Sequence, residues 1–349
     1  LAILVAKRAV RPGGIGHNSG LFAKTEADAE TVDRLLAQSD KISAQVRQAY
    51  VDAVRRLQSQ VDVARISDLL EAGRISEALQ QINAQSVAAG FMPVVDAITA
   101  ATFGVARSTA QLATQASGIQ FSFSQVNPEA VSFVQHYEMN LIREMTSETL
   151  KTVRGIINAG VTAGDNPLDI ARELRAHIGL TERQAQAVRN YRRLLEDGDG
   201  QALQRQLRDR RFDRSVRNHV AGTRALSSEQ VDNMVERYSQ RYLKYRAETI
   251  ARTEAKRALG TGNQLLWNQA VKDGRVAEDD VTKTWITVGD HKVRPTHREL
   301  HKQTVGLNDT FTCSEGDISY PGDPGADVGL TANCRCTCVY RFKVKGQQP

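Results

Sequence analysis

"KDGRVAEDDVTKTWITV", residues 272–288, is where this sequence changes character. Before it, apolar residues recur every three or four positions. After Lys283, β-branched residues alternate with polar ones in "KTWITV" and "CTCVYRFKV", with Gly, Pro and Asp turns between them. The first pattern is that of amphipathic helices and the second that of short strands. Together they predict a mainly α chain: a long-helix bundle or hairpin over the N-terminal and middle region, then a small C-terminal α+β domain. That tail is small enough to need a staple, or a helix from the preceding region, to complete its core.

Upstream, Val32, Leu35, Ile42, Val46, Ala49, Ala53, Leu57, Val61 and Ala64 keep a helical step from about Ala27 to Leu70. One helix of about 40 residues would be roughly 60 Å long, ending at Gly73 and Arg74. A shorter amphipathic segment follows, "AAGFMP" (88–93) reads as a second break, and the Ser/Thr-rich residues 94–125 read as weakly helical. Asn127-Pro128 opens the next helix by placing Pro in its first turn, with Val131, Val134, Tyr137, Leu141, Met145, Val153 and Ile156 on one face. Asn166-Pro167 opens another. Thr181 with Gln184, and Ser227 with Gln230, have capping-box spacing. The last helix is expected from about Glu229 to Val271, with Val231, Val235, Tyr238, Tyr242 and Tyr245 inward. The Gly-rich "RPGGIGHNSG" makes residues 1–24 a flexible lead. In chain order the divisions are 1–24, 25–125 (long helices), 126–270 (helical domain) and 271–349 (α+β domain).

The 349 residues are 41% hydrophobic and 25% charged, and only 5% aromatic, which favours helices over sandwiches and barrels. A net charge of +6 permits nucleic-acid contact without demanding it. The excess sits in the middle: between Arg172 and Arg257 roughly twenty basic residues face about a dozen acidic ones. In "QRQLRDRRFDRSVRNH" (204–219) the interleaved Asp209 and Asp213 suit an ion-paired helical face better than a phosphate grip. No apolar run is read as long enough for a membrane span. "LAILVAKRAV" has its basic residues after the apolar ones, the wrong order for a secretory signal. All four cysteines lie between Cys313 and Cys338, which in a reducing compartment favours metal binding or burial over disulfides.

"HRELH" (297–301) sets His297 and His301 on one helix face, as in zinc hydrolases. Those enzymes also need a glutamate beside the first histidine, whereas Glu299 lies about 200° around the helix from His297. A catalytic zinc is therefore not expected. Cys334, Cys336 and Cys338 would be nearly 7 Å apart along an extended strand, so a metal needs "TANCRC" to turn. A structural zinc on His297, Cys334 and Cys336, with Cys313 or His301 as a fourth ligand, competes with buried free thiols. The aspartates of 317–327 lack a calcium-loop pattern and read as a polar turn. No catalytic residue and no cofactor-binding loop emerges.

The order of these motifs is itself distinctive: "AETIARTEAKRALGTGNQ", then "KTWITVGDHKVRPTHRELHKQTVGLNDTF", "YPGDPG" and "NCRC". Over roughly residues 245–340 it resembles the C-terminal domain of the phage Mu protein F-like minor head (head morphogenesis) proteins. The matching positions are Arg252, Thr253 and Glu254; Trp285; Asp290, Val293, Arg294, His297 and Leu300; Pro321 to Pro324; and Asn333 to Cys336. The resemblance implies a non-enzymatic minor capsid protein of a tailed phage, made in the host cytoplasm and carried in the virion. Its expected partners are the portal protein and the capsid interior, with copies around the portal vertex and a role in head assembly, packaging or ejection. The alternatives are an internal protein that contacts double-stranded DNA and is ejected with it, and a metal-dependent hydrolase or toxin-like enzyme built on the tail. Within the tail, Arg252, Glu254, Asp290, Arg294 and Asp323 are expected to form one buried ion-paired network that fixes register.

Overall fold

The computed structural model describes residues 3–5 and 26–343. In chain order the elements are β1 (Ile3–Val5), α1 (Glu26–Ser59), α2 (Val63–Glu71), α3 (Ile75–Gln80), α4 (Ala84–Ser117), α5 (Pro128–Ala163), α6 (Pro167–His177), α7 (Glu182–Glu196), α8 (Asp213–Val220), α9 (Ser228–Lys272), β2 (Val281–Ile286), α10 (Pro295–Glu299), β3 (Thr304–Gly306), β4 (Phe311–Cys313), β5 (Gly316–Ile318), α11 (Val328–Thr331) and β6 (Thr337–Phe342). The chain is mainly α, with long helices and a small strand-bearing C-terminal region.

Two helix boundaries differ from the periodicity reading, for local reasons. The expected helix through Leu70 stops at Ser59, because the Asp62 side chain accepts from the Arg65 amide and starts α2 instead. In the other direction, α4 runs unbroken through Gly90 and Pro93 and takes in most of the stretch read as weakly helical. The hydroxyls of Thr102, Thr114 and Ser117 donate to the carbonyls of Ile98, Ala110 and Ala113 four residues back, so they do not compete with the helix. By length and composition alone, Ile75–Ser117 is apolar enough to cross a membrane, contrary to the reading that no run is. Several of its apolar side chains, among them Phe91, Val94, Val95, Ile98, Val105 and Ala106, are buried in the protein, while Met92 is exposed.

The chain folds into two compact units, each gathered from separate stretches of sequence. The first comprises Leu1–Arg47, Asp96–Tyr137 and Thr249–Pro349. Its sheet has the order β1-β6-β2-β3: β6 is parallel to β1 and antiparallel to β2, and β2 is antiparallel to β3. Strand β1 falls inside the stretch read as a flexible lead; the rest of residues 1–24 lies outside the described residues. The β4–β5 hairpin stands apart from this sheet. Strands β2 and β6 are almost wholly buried, which needs a cover, and the C-terminal half of α9 supplies it. Trp267 meets Phe342 at 5.0 Å and Phe121 at 5.8 Å between ring centroids, and Trp285 meets Phe311 at 5.3 Å. The tail thus borrows its missing core from α9 and α4.

Glycines on α9 permit the closest approaches. A Cβ on Gly262 would lie 2.5 Å from the Thr102 carbonyl oxygen of α4, and one on Gly260 would lie 2.4 Å from the Tyr320 ring. Opposite, Gly322 has φ +87° and sits so near the α9 backbone that a Cβ would lie 2.5 Å from the Arg257 nitrogen. Thr109 on α4 donates to Asn263 on α9 at 2.7 Å.

The second unit comprises Gln48–Val95 and Glu138–Glu248. Thr181 and Gln184 make the expected reciprocal capping box, and Ser227 and Gln230 exchange the same pair of bonds. Leu180, Val188, Tyr191, Leu195, Val216, Val231, Met234 and Tyr238 form one core. Tyr245, read as inward, is 51% exposed. Asp209 is buried beneath arginines, paired with Arg211 at 2.5 Å, Arg241 at 3.3 Å and Arg237 at 3.9 Å. These side chains hold its carboxyl far below the usual range, Arg211 first through its hydrogen bond.

Candidate functional site

The residues singled out in the sequence converge on the turn at 330–336 in the first unit. Helix α11 starts at Asp327, whose side chain accepts from the Gly329 amide. After it Asn333 takes φ +55°, a left-handed conformation that Asn tolerates better than most residues. The chain then doubles back, and Cys334 and Cys336 precede the regular part of β6 rather than lying extended along it. Their spacing in a straight strand is therefore not the relevant one.

Three side chains brace this turn. The Thr253 hydroxyl accepts from the Asn333 amide at 3.0 Å, and the Arg252 guanidinium donates to the Asn333 side chain at 3.3 Å. Arg294, which precedes α10, donates to the carbonyls of Leu330 and Ala332. Arg335 pairs with Asp290, which lies in the loop before α10. Asp323 caps its own turn, accepting from the amides of Ser319 and Gly325. Glu254 pairs with Arg257 at 3.0 Å and accepts from Tyr137, while Arg257 also donates to the Gly322 carbonyl.

The expected single ion-paired network is thus corrected. Arg252, Asp290, Arg294 and Asp323 form no ion pair with one another, and most of their bonds go to backbone or amide groups. They fix the path of the chain rather than neutralise each other. The sequence reading named Thr253 and Arg335 as motif positions and Tyr137 on a helix face without giving them these roles, and it missed Arg257; an arginine one turn from Glu254 on a helix was the available signal for it.

This scaffold places His297, Cys334 and Cys336 together, 2%, 2% and 1% exposed. His297 Nδ1 lies 3.6 Å from Cys334 Sγ and 3.5 Å from Cys336 Sγ, and the three donor atoms all lie within 4.8 Å of one another. Its Nε2 is buried without a hydrogen-bond partner, and the edge of the Trp285 ring packs on the imidazole at 5.4 Å. The Cys336 hydrogen bond and the His297 ring hold the Cys334 thiol well below its ordinary range. Cys336 is pushed up by Cys334 and by burial. Lys256, buried on α9, feels both sulfurs.

The other candidates are used elsewhere. His301 Nδ1 accepts from the Thr287 amide at 3.2 Å, and Glu299 accepts from the Ser314 amide and hydroxyl. The "HRELH" stretch is one short helical turn whose acid braces the β4–β5 hairpin. Cys313 donates to the Gly316 carbonyl inside that hairpin. Burial pushes the Cys338 thiol up. Asp317 accepts from Thr312, so Asp317, Asp323 and Asp327 each serve a local turn.

Residues 195–339 match the family model described as Phage Mu protein F like protein. No curated protein and no solved structure matches the chain. The matched span runs from the end of α7 through α8 and α9 to Val339 in β6, and takes in the braced turn with its His297, Cys334 and Cys336 cluster. Over these residues, fewer than half of the chain, the sequence is similar to the Phage Mu protein F like family.

Proposed function

We propose that this protein is a non-enzymatic minor capsid protein that acts at the portal vertex during head assembly and stays in the virion. One observation carries the reading: the motif residues of the tail are spent on holding its fold. Arg252, Thr253 and Arg294 secure the turn at 330–336, Asp323 and Asp327 cap turns, and Glu299 anchors a hairpin. The cluster at their centre is buried, where no substrate could reach it. A domain built this way suits docking and anchoring against a partner such as the portal protein, with copies arranged around it. The metal-dependent hydrolase reading is weakened because Glu299 and His301 are engaged elsewhere.

The test is location and number. Quantitative mass spectrometry of purified particles, with labelled imaging of the vertex, is expected to find a few copies at the portal. Copies spread over the whole shell, or absence from the particles, would refute the reading.

A second reading, contact with double-stranded DNA, is favoured by the arginines fanned around buried Asp209. Arg211, Arg237 and Arg241 are 70%, 42% and 41% exposed at their side chains. One carboxylate holds three guanidinium groups there, leaving net positive charge at the surface. Phosphate contacts would give duplex affinity that falls steeply with salt. Binding that does not respond to salt, or no binding at low ionic strength, would remove this reading.

A further inference from the structure

We propose that His297, Cys334 and Cys336 bind one zinc-class divalent ion, which clamps α10 to the turn before β6, with water as the fourth ligand. This does not depend on the proposed role in head assembly.

The distances carry the argument. A tetrahedral zinc about 2.3 Å from sulfur and about 2.0–2.1 Å from nitrogen sets each N–S pair roughly 3.5–3.6 Å apart. The two observed separations are 3.5 and 3.6 Å. Hydrogen bonding alone accounts less well for both. A neutral imidazole Nδ1 has one in-plane lone pair and can accept from one thiol, yet two sulfurs converge on it. An ion on that lone pair can touch both sulfurs at once, leaving the proton on Nε2.

The surroundings suit a closed site. Two thiolates and one imidazole balance a divalent ion to zero net charge, the form a low-dielectric core tolerates best. Thiolate and imidazole donors together select zinc over magnesium or calcium. Among the described residues, the cluster contains no further His, Cys, Asp or Glu donor. A cavity of about 10 Å³, room for about one water, borders Cys336 and Lys256 but is lined by neither His297 nor Cys334. Because all three protein donors are buried, the open position is closed to substrate. The ion therefore serves as the staple that so small a tail calls for.

The clamp also accounts for the braces. Arg294 and Asn333 sit three residues before His297 and one before Cys334, and each is fixed by side-chain bonds. Holding both approaches preorganises the donors.

The test uses the full chain purified under reductant. Elemental analysis is expected to give one zinc per chain. Replacing it with Co²⁺ should produce the visible bands of a tetrahedral cobalt–thiolate centre. Removing the ion should leave Cys334 and Cys336 reactive toward a thiol reagent, and adding zinc back should protect them. Cys336→Ser should lose the metal and the cobalt bands while helical circular dichroism persists. If that variant does not fold, protection of the wild-type thiols by added zinc decides the matter. No metal in the wild type with no uptake of Co²⁺ or Zn²⁺ by the reduced protein would overturn the proposal. So would a Cys334–Cys336 disulfide in the reduced preparation, or full metal content in a Cys334→Ser, Cys336→Ser double variant.

Discussion

Lys283 should be a net liability to the first unit, and replacing it with Met should stabilise that unit. The residue lies in the middle of β2 and is 0% exposed, and its Nζ has no hydrogen-bond partner. Directly across the ladder stands Tyr340, and the Phe311 ring lies 5.8 Å from the ammonium. Burial lowers the pKa, while Cys338 and more distant Asp323 and Asp309 push it back up. An unpaired buried polar group costs about 1–3 kcal/mol on mutational scales, and the cation–π contact returns about 0.5–2 kcal/mol. Methionine keeps an unbranched chain, removes the charge and adds a sulfur–aromatic contact worth about 0.3–1.5 kcal/mol. Lys283→Met should therefore gain about 1 kcal/mol.

Tryptophan fluorescence in urea reads this unit alone, because Trp267 and Trp285 are the two tryptophans and both belong to it. With a slope of about 1–3 kcal/mol per molar urea, the midpoint should rise by roughly 0.3–1 M. The pH dependence gives a second reading. A lysine whose folded pKa is lowered binds more protons unfolded than folded, so its contribution to stability rises with pH between its folded value and about 10.4. Cys338, raised in the folded state, works the other way above about pH 8.5. The difference between wild type and variant isolates the lysine. The gain from Lys283→Met should shrink as pH climbs toward 10. A midpoint that falls by a comparable amount, or a gain independent of pH, would refute the reasoning and mean that the amine is satisfied in the core.

Gly322→Ala combines an unfavourable positive φ with a clash against the α9 backbone and should cost at least about 2 kcal/mol in the same urea assay. Gly325→Ala, which meets only the side chain of Asp323, is the control and should cost much less. Glu254→Gln leaves Arg257 and Tyr137 around a neutral amide in a buried site and should cost about 2–4 kcal/mol by the same fluorescence transition. Arg294→Lys can replace only one of two carbonyl bonds; about 1 kcal/mol should be lost, with faster hydrogen exchange confined to residues 330–336. Asp209 is held far below the ordinary carboxylate range, so its stabilisation persists at neutral pH and is lost as pH falls through that depressed value. Asp209→Asn should lower the stability of the second unit at pH 7 and flatten its acid transition, followed by hydrogen exchange of residues 231–241.

The helices were legible where apolar spacing and capping agree. Asn127-Pro128, Thr181 with Gln184, and the long run ending near Lys272 all carry signals that tertiary structure had no reason to override. The misses arise where one residue has two uses. Asp62 looks like a polar position on a helix face and acts as a cap. Thr102 and Thr114 look like loop residues, yet their hydroxyls fold back on their own helix. Gly260 and Gly262 carry no signal in the periodicity of α9, and their purpose emerges only when Tyr320 and Thr102 are seen against them. Periodicity reports what one segment buries; it does not report which distant backbone must come near.

The same distinction explains why the site was half visible. His297, Cys334 and Cys336 were picked out by chemistry, because few side chains donate to soft metals. The ion-paired network was assembled by charge alone, and charge says nothing about direction. Arg294 reaches two carbonyls, and Asp323 reaches two amides, because irregular backbone in a partly buried turn leaves polar groups that helices and strands would have satisfied. A tail whose sheet has three of its four strands within residues 281–342 has many such groups for its size. Its charged motif residues are best understood as substitutes for missing secondary structure. That view makes a sharper demand than a salt-bridge network would: Asp323→Asn, which keeps one acceptor oxygen and turns a donor toward the second amide, should lose about one hydrogen bond, whereas Asp323→Leu, of similar size and without acceptors, should lose both and cost more.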